Sequence, residues 1–287
     1  MAADVREPVP MSERKGASII AAAFVVCVSC SLAIAAGDGS TRFTATYGVA
    51  LRGVPLGEFH LDAATGAERY DLNVHAKFSI LAGWLYEASG KSSSVGRRLD
   101  GKARPERFSL SYKAGSKHGK RVILFQEGSV SRVKLRPAKG QTAHRLPVTE
   151  EHLRNVLDPL TATFTALSFD GTDTKICDRV VPVFDGKLRF DVRLTPKVAQ
   201  TADGKILEGL VGPFIVCGAR FVPIAGHRPD NKRLAALARE EGIAVWLVKF
   251  PQAALYLPYR IEFPTPLGLG SAEINSFSVD QSLSEPR

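Results

Sequence analysis

Four sets of residues here are of the types that do chemistry: the Ser131-Arg-Val-Lys134 pair, six histidines, four cysteines, and the acids Asp158 and Glu262. Ser-x-x-Lys is the spacing of a serine nucleophile and its lysine base, provided that one helical turn brings both side chains to one face. Alternating Ser and Val around 129–136 predict a strand instead, where residues three apart point to opposite faces, so the pair is not expected to act together. The histidines are His60, His75, His118, His144, His152 and His227; no two lie closer than eight residues, and none shows metal-ligand spacing. His75 falls on the polar phase of its strand, and His118 and His144 sit among bases, so solvated side chains are expected. Asp158 precedes Pro159, a cap and first-position pair that starts a helix. The sequence contains no Gly-x-Ser-x-Gly, His-Glu-x-x-His, P-loop or Gly-x-Gly-x-x-Gly. No metal or cofactor is expected.

The cysteines divide by position. Cys27 and Cys30 lie in an uncharged stretch from Ala17 to Gly37 that follows Arg14 and Lys15 and ends in Ala33-Ile-Ala35. A basic edge, an apolar core and a small-x-small exit are the parts of a secretory signal peptide, so residues 1–35 read as a leader and 36–287 as one exported domain. Translation from Met1 and from Met11 both fit this reading. The alternative is an uncleaved anchor formed by residues 17–36. Cys30 lacks the Leu or Val three residues upstream that marks a lipid-modified cysteine. Cys177 and Cys217 remain as an even pair in strand-like settings. A redox or metal pair would need further ligands at useful spacing, so a structural disulfide is the expected outcome.

Charge supplies the remaining candidate. Lys and Arg number 38 against 29 acids, a net +9. The leader removes Arg6, Arg14 and Lys15 together with Asp4, Glu7 and Glu13, so the excess belongs wholly to the mature chain. Bases cluster at Lys113, Lys117, His118, Lys120 and Arg121, then at Arg132, Lys134, Arg136, Lys139 and Arg145. One reading is a solvated edge that blocks strand-to-strand aggregation. The other is contact with an anionic membrane surface. Nucleic acid is not expected, because no aromatic platform interleaves the bases.

The elements that must position these residues are strands. With 45% apolar and 23% charged residues the chain is ordinary for a globular protein. Phe43, Ala45, Tyr47, Val49 and Leu51 alternate with more polar neighbours. So do Phe59, Leu61 and Ala63, and then Tyr70, Leu72, Val74, Ala76 and Phe78. Gly53-Val-Pro-Leu-Gly57 reads as the first turn. Further strands are predicted at 86–97, 107–113, 120–127, 129–136, 180–184, 187–194, 213–224, 243–250, 254–263 and 269–279, with Asp185-Gly186 as the strongest hairpin signal. So many antiparallel strands at short spacing imply a large curled sheet or a partly closed barrel. Two or three short helices are expected on its concave side. One starts at Thr149 and continues from Asp158 through Leu160, Phe164 and Leu167; another spans Asp230 to Glu241. Ile80 to Leu85 reads as an apolar plug. Leu81, Trp84, Leu85 and Phe164 are therefore the expected cavity lining.

Several stretches also carry a family resemblance. They are Tyr47-Gly-Val-Ala-Leu-Arg-Gly-Val-Pro-Leu-Gly57, Asp158-Pro-Leu-Thr-Ala162, Cys177 to Phe190 with its Asp-Gly turn, Cys217, Pro223-Ile-Ala-Gly-His227, and Trp246 with Pro258-Tyr-Arg-Ile-Glu262. Together they resemble a bacterial periplasmic family, domain of unknown function 3108, over roughly residues 42–280. The resemblance implies an exported β-rich protein and transfers no catalytic residue. Lys187-Leu188 departs from the Arg-Arg expected after Asp-Gly. The expected shape is similar to periplasmic lipoprotein-carrier folds, an analogy of fold alone. Two functions follow as expectations. The first is a non-enzymatic envelope protein that binds a lipid, a lipoprotein or another envelope component. The alternative is a hydrolase or transferase acting on an envelope polymer, with acids such as Asp158 and Glu262 converging in three dimensions.

Overall fold

The computed structural model describes residues 40–80, 86–99, 102–137, 144–167, 175–198, 207, 210–231, 234–235, 238, 242–251 and 255–280. Residues 1–35, read above as a leader, and 81–85 of the expected plug lie outside them. Gly37–Arg287 form one compact unit.

Thirteen strands build a single sheet. They are β1 (Thr41–Leu51), β2 (Val54–Thr65), β3 (Arg69–Ile80), β4 (Tyr86–Leu99), β5 (Lys102–Ala114), β6 (Lys117–Gln126), β7 (Ser129–Arg136), β8 (Arg179–Phe184), β9 (Arg189–Pro196), β10 (Val211–Ala225), β11 (Ile243–Phe250), β12 (Leu255–Thr265) and β13 (Gly268–Asp280). Every predicted strand has its counterpart here. The order is β7-β6-β5-β4-β3-β2-β1-β13-β12-β11-β10-β9-β8, antiparallel throughout. Two meanders thus meet where the first strand pairs with the last. Tight connections make this order the natural one, since parallel neighbours would need long crossovers.

Turn chemistry fixes the registers. Arg52 and Gly53 close β1 to β2 as a two-residue loop, with φ of 50° and 81°, the left-handed pair that suits a twisted hairpin. The expected turn at Gly53–Gly57 is therefore shorter. Val54 to Gly57 belong to β2, and the register shift between Val49 and Ala50 absorbs the irregularity. Asp185 accepts hydrogen bonds on Oδ1 from the amides of Lys187 and Leu188, at 2.8 and 2.7 Å. That Asx-type closure uses residues 185–188, so β9 starts at Arg189 rather than 187.

The sheet curls without closing on itself. Its edge strands β7 and β8 are not paired with each other. Residues 154–157 lie between them instead: Arg154 bridges to Ser129, and Leu157 bridges in parallel to Val183. Phe108, Ile123, Phe125, Val156 and Phe184 form the apolar seam beneath. Across it Arg121 donates to Asp185 Oδ2 at 2.6 Å.

Among the described residues there is one α-helix, α1 (Pro159–Leu167), rather than the two or three expected. The segment opening at Thr149 makes only a 3₁₀ turn, Glu151–Leu153, because Arg154 turns extended (φ −89°, ψ 141°) to reach β7. In the Asp230–Glu241 segment Ala235 and Ala238 donate helical hydrogen bonds to Asn231 and Leu234, but no full helix is described. No described helix is long and apolar enough to cross a membrane.

Candidate functional site: an apolar interior around a capped helix

The helix lies inside the curl. It packs against β4, β5, β8 and β12, strands on different sides of the sheet. What holds it there is polar. Asp158 is fully buried and caps the helix, accepting on Oδ1 from the amides of Leu160 and Thr161, both at 3.0 Å. Its Oδ2 accepts from the hydroxyls of Ser94, at 2.9 Å, and Thr161, at 2.6 Å. Tyr70 Oη lies 2.9 Å from Thr161 Oγ1, so β3, β4 and α1 share one network. Burial raises the Asp158 carboxyl above its ordinary value, against the opposing effect of the hydrogen bonds from Thr161, Ser94 and Leu160. With all four of these acceptor contacts made, Asp158 acts as a structural cap. Glu262 pairs with Arg260 at 2.7 Å.

On either side of α1 the packing leaves space. One cavity of about 310 Å³ lies between the helix and β8–β12, with Val181, Phe190, Leu194, Ala219, Val245 and Leu247 among its walls. A second of about 390 Å³ faces β1–β3 and β12, walled by Tyr47, Phe59, Leu61, Val74, Ala76 and Phe164 among others. Thr163, Pro258 and Ile261 border both. Almost every lining group is carbon. The inward phase of each strand explains this: Tyr70, Leu72, Val74 and Ala76 alternate with Asp71, Asn73, His75 and Lys77, and all of the first set turn inward. Tyr47 is buried and stacks on Phe59 with ring centroids 4.6 Å apart. Its hydroxyl has no hydrogen-bond partner among the described residues, and burial pushes its pKa up.

Burial falls off in one direction. Along β1, Phe43, Ala45 and Tyr47 are buried whereas Val49 and Leu51 are half-buried. Along β3, Tyr70 and Leu72 are buried whereas Val74, Ala76 and Phe78 are half-buried. Along β1 and β3 the interior is thus more accessible toward the end carrying the β1–β2, β5–β6 and β12–β13 turns, whereas on β13 Gly270, Ala272 and Ile274 stay buried near that end.

Of the expected lining residues, Phe164 is placed as expected, stacked on Tyr70 at 5.5 Å and facing the larger cavity. Leu81, Trp84 and Leu85 lie outside the described residues. The cysteines are joined, with Cα atoms 5.2 Å apart. Cys177 sits in the turn before β8 rather than in a strand, and Cys217 lies on β10 against the smaller cavity.

The basic candidates separate by phase. Register aligns His60, His75, Lys91, Ser111, Lys120 and Arg136 in one outer row, with Lys113 in the next. Lys113, Lys117, Lys120, Arg132, Lys134 and Arg136 are all exposed. Arg121 has the opposite phase and is spent on Asp185. The sequence set the two histidines His60 and His75 far apart, and the sheet makes them cross-strand neighbours. His60 contacts Thr46 and Glu58 at 3.0 and 3.1 Å, and no metal-ligating group of three is found among the described residues. Ser131 and Lys134 do lie on a strand, β7, where Ser131 donates to the Leu124 carbonyl.

Fold and site together define a mainly β protein whose one antiparallel sheet wraps a capped helix and an apolar interior. The chain belongs to the family described as "Protein of unknown function (DUF3108)", whose model matches residues 42–275. It is also similar to a crystal structure described as a β-barrel-like protein of domain of unknown function DUF1849, from Brucella abortus. The identity is 12% and the TM-score 0.47, covering 84% of this chain and 99% of that one. No curated protein matches the chain.

Proposed function

We propose that this chain is an exported envelope protein that holds an acyl chain, or an apolar group of similar girth, in the space beside α1. The observation that carries this reading is the pair of carbon-lined cavities of about 310 and 390 Å³, each within the range of small-molecule sites. Close-packed interiors rarely leave such space. Both spaces open partly to solvent, so an apolar occupant would release water from carbon-lined walls. Export rests on the leader-like residues 1–35. The exposed outer row, with Lys113, Lys117, Lys120, Arg132, Lys134 and Arg136, suits approach to anionic head groups.

Filling the space tests the reading. Ala76 lines the larger cavity and is half-buried, so a phenyl ring at this position enters the cavity without displacing a core side chain. In titrations with a fluorescent fatty-acid analogue, the protein binds the probe and Ala76→Phe binds it at least tenfold more weakly, with Tm unchanged or raised. Equal affinity in the variant would move the ligand out of this cavity.

A further inference from the structure

We infer that the turns joining β1 to β2 and β12 to β13 form a two-pronged apolar wedge that docks the open end of the sheet on an anionic bilayer. The wedge rests on the reading of the interior as a lipid site and names the surface that site would face. Val54 is 62% exposed, Leu267 72% and Leu269 50%, three large apolar side chains gathered in water at one rim. They come from two turns distant in sequence and adjacent in space. The amide of Arg52 donates to the Leu269 carbonyl at 2.8 Å. Gly268 (φ 121°) allows close approach, since a Cβ there would meet the Arg52 side chain at 2.7 Å. Thr265 holds the second turn rigid, donating to the Gly268 carbonyl at 2.7 Å and accepting from the Leu267 amide at 3.2 Å.

Position and charge select the partner. β1 runs toward this end and β13 away from it, so both turns stand at one rim, the one toward which burial declines along β1 and β3. Lys113 and Lys117 flank the β5–β6 turn at the same rim, and Arg52 sits on the wedge itself. None of the three makes an ion pair among the described residues. Apolar side chains projecting between cations match a membrane interface, where acyl boundary and anionic head groups lie a few ångströms apart. A protein partner of ordinary polarity would leave these cations unmatched.

The experiment is co-sedimentation with phosphatidylethanolamine vesicles containing one quarter phosphatidylglycerol, over a salt series, for the protein and for Val54→Ser/Leu267→Ser/Leu269→Ser. The exposed positions leave Tm unchanged. The expected result is salt-sensitive binding by the protein and at least tenfold weaker partitioning by the variant. Equal binding by both would overturn the proposal. So would no binding by either, or a self-associated dimer that the triple variant dissolves without any vesicle binding. The fatty-acid probe is titrated in parallel: a protein that docks through the wedge yet holds no probe keeps this inference and removes the lipid reading of the cavity.

Discussion

Replacing Asp158 by alanine is expected to lower stability by about 3–4 kcal/mol, a fall in Tm of roughly 6–16 °C for a domain of this size. The carboxylate caps α1 and is the common acceptor for Ser94 and Thr161. Truncation leaves the amides of Leu160 and Thr161 without their acceptor and removes one partner from each of the Ser94 and Thr161 hydroxyls, and the helix that divides the interior loses its carboxyl tether to β4. Asparagine keeps the shape and one carbonyl acceptor, so it costs less. The pH dependence separates the two roles of this carboxyl. Burial raises its folded-state pKa above the unfolded value, so the folded state holds the proton more tightly. Its contribution is therefore most favourable below the unfolded pKa and declines as pH rises through the window up to the raised value. Thermal melts should show the protein's advantage over Asp158→Asn largest in acid and shrinking toward neutrality. A gap that widens toward neutral pH would mean that the hydrogen bonds outweigh burial.

The second large effect concerns Cys177 and Cys217. Their bond closes a loop with a sequence separation of 40, worth about 4 kcal/mol in the chain-entropy account. It ties the turn before β8, an edge strand, to β10, two strands further in. Both cysteines are buried and pack with Ile176, Leu247 and Tyr256. The Cys177→Ala/Cys217→Ala protein should melt roughly 8–16 °C lower, and reduction of the native protein should reproduce the loss. Because Cys217 borders the smaller cavity, fatty-acid probe affinity should fall along with stability. Unchanged melting in the double variant would make the edge strand self-sufficient.

Strands were legible because their period is two and their turns are short: the alternation from Tyr70 to Phe78 states which face is inside with no help from tertiary structure. Phase also contains information that clustering hides. Lys120 and Arg121 look alike in a run of bases, yet one faces out and the other meets Asp185 across the seam. Helices were overestimated because short apolar or capped segments suit a helix only if the chain is free to continue, and Arg154 is instead drawn into a bridge with Ser129. The cap at Asp158 was readable from Asp-Pro, but its partner Ser94, and Tyr70 that bonds Thr161 beside it, come from strands more than sixty residues away. The cavities were the least legible feature. Alternation shows that Val181, Ala219 and Val245 turn inward, whereas whether their side chains meet depends on how far the sheet curls around one nine-residue helix.

The central claim is that the interior holds an apolar ligand, and native mass spectrometry of protein purified from the cells that make it tests it most directly. The account predicts a chain whose mass starts at or near Ala36, carrying a stoichiometric adduct that organic extraction releases as an acyl-containing molecule, and an Ala76→Phe protein that lacks it. A bare mature chain, with no extractable lipid and no uptake of added fatty acid, would contradict the account.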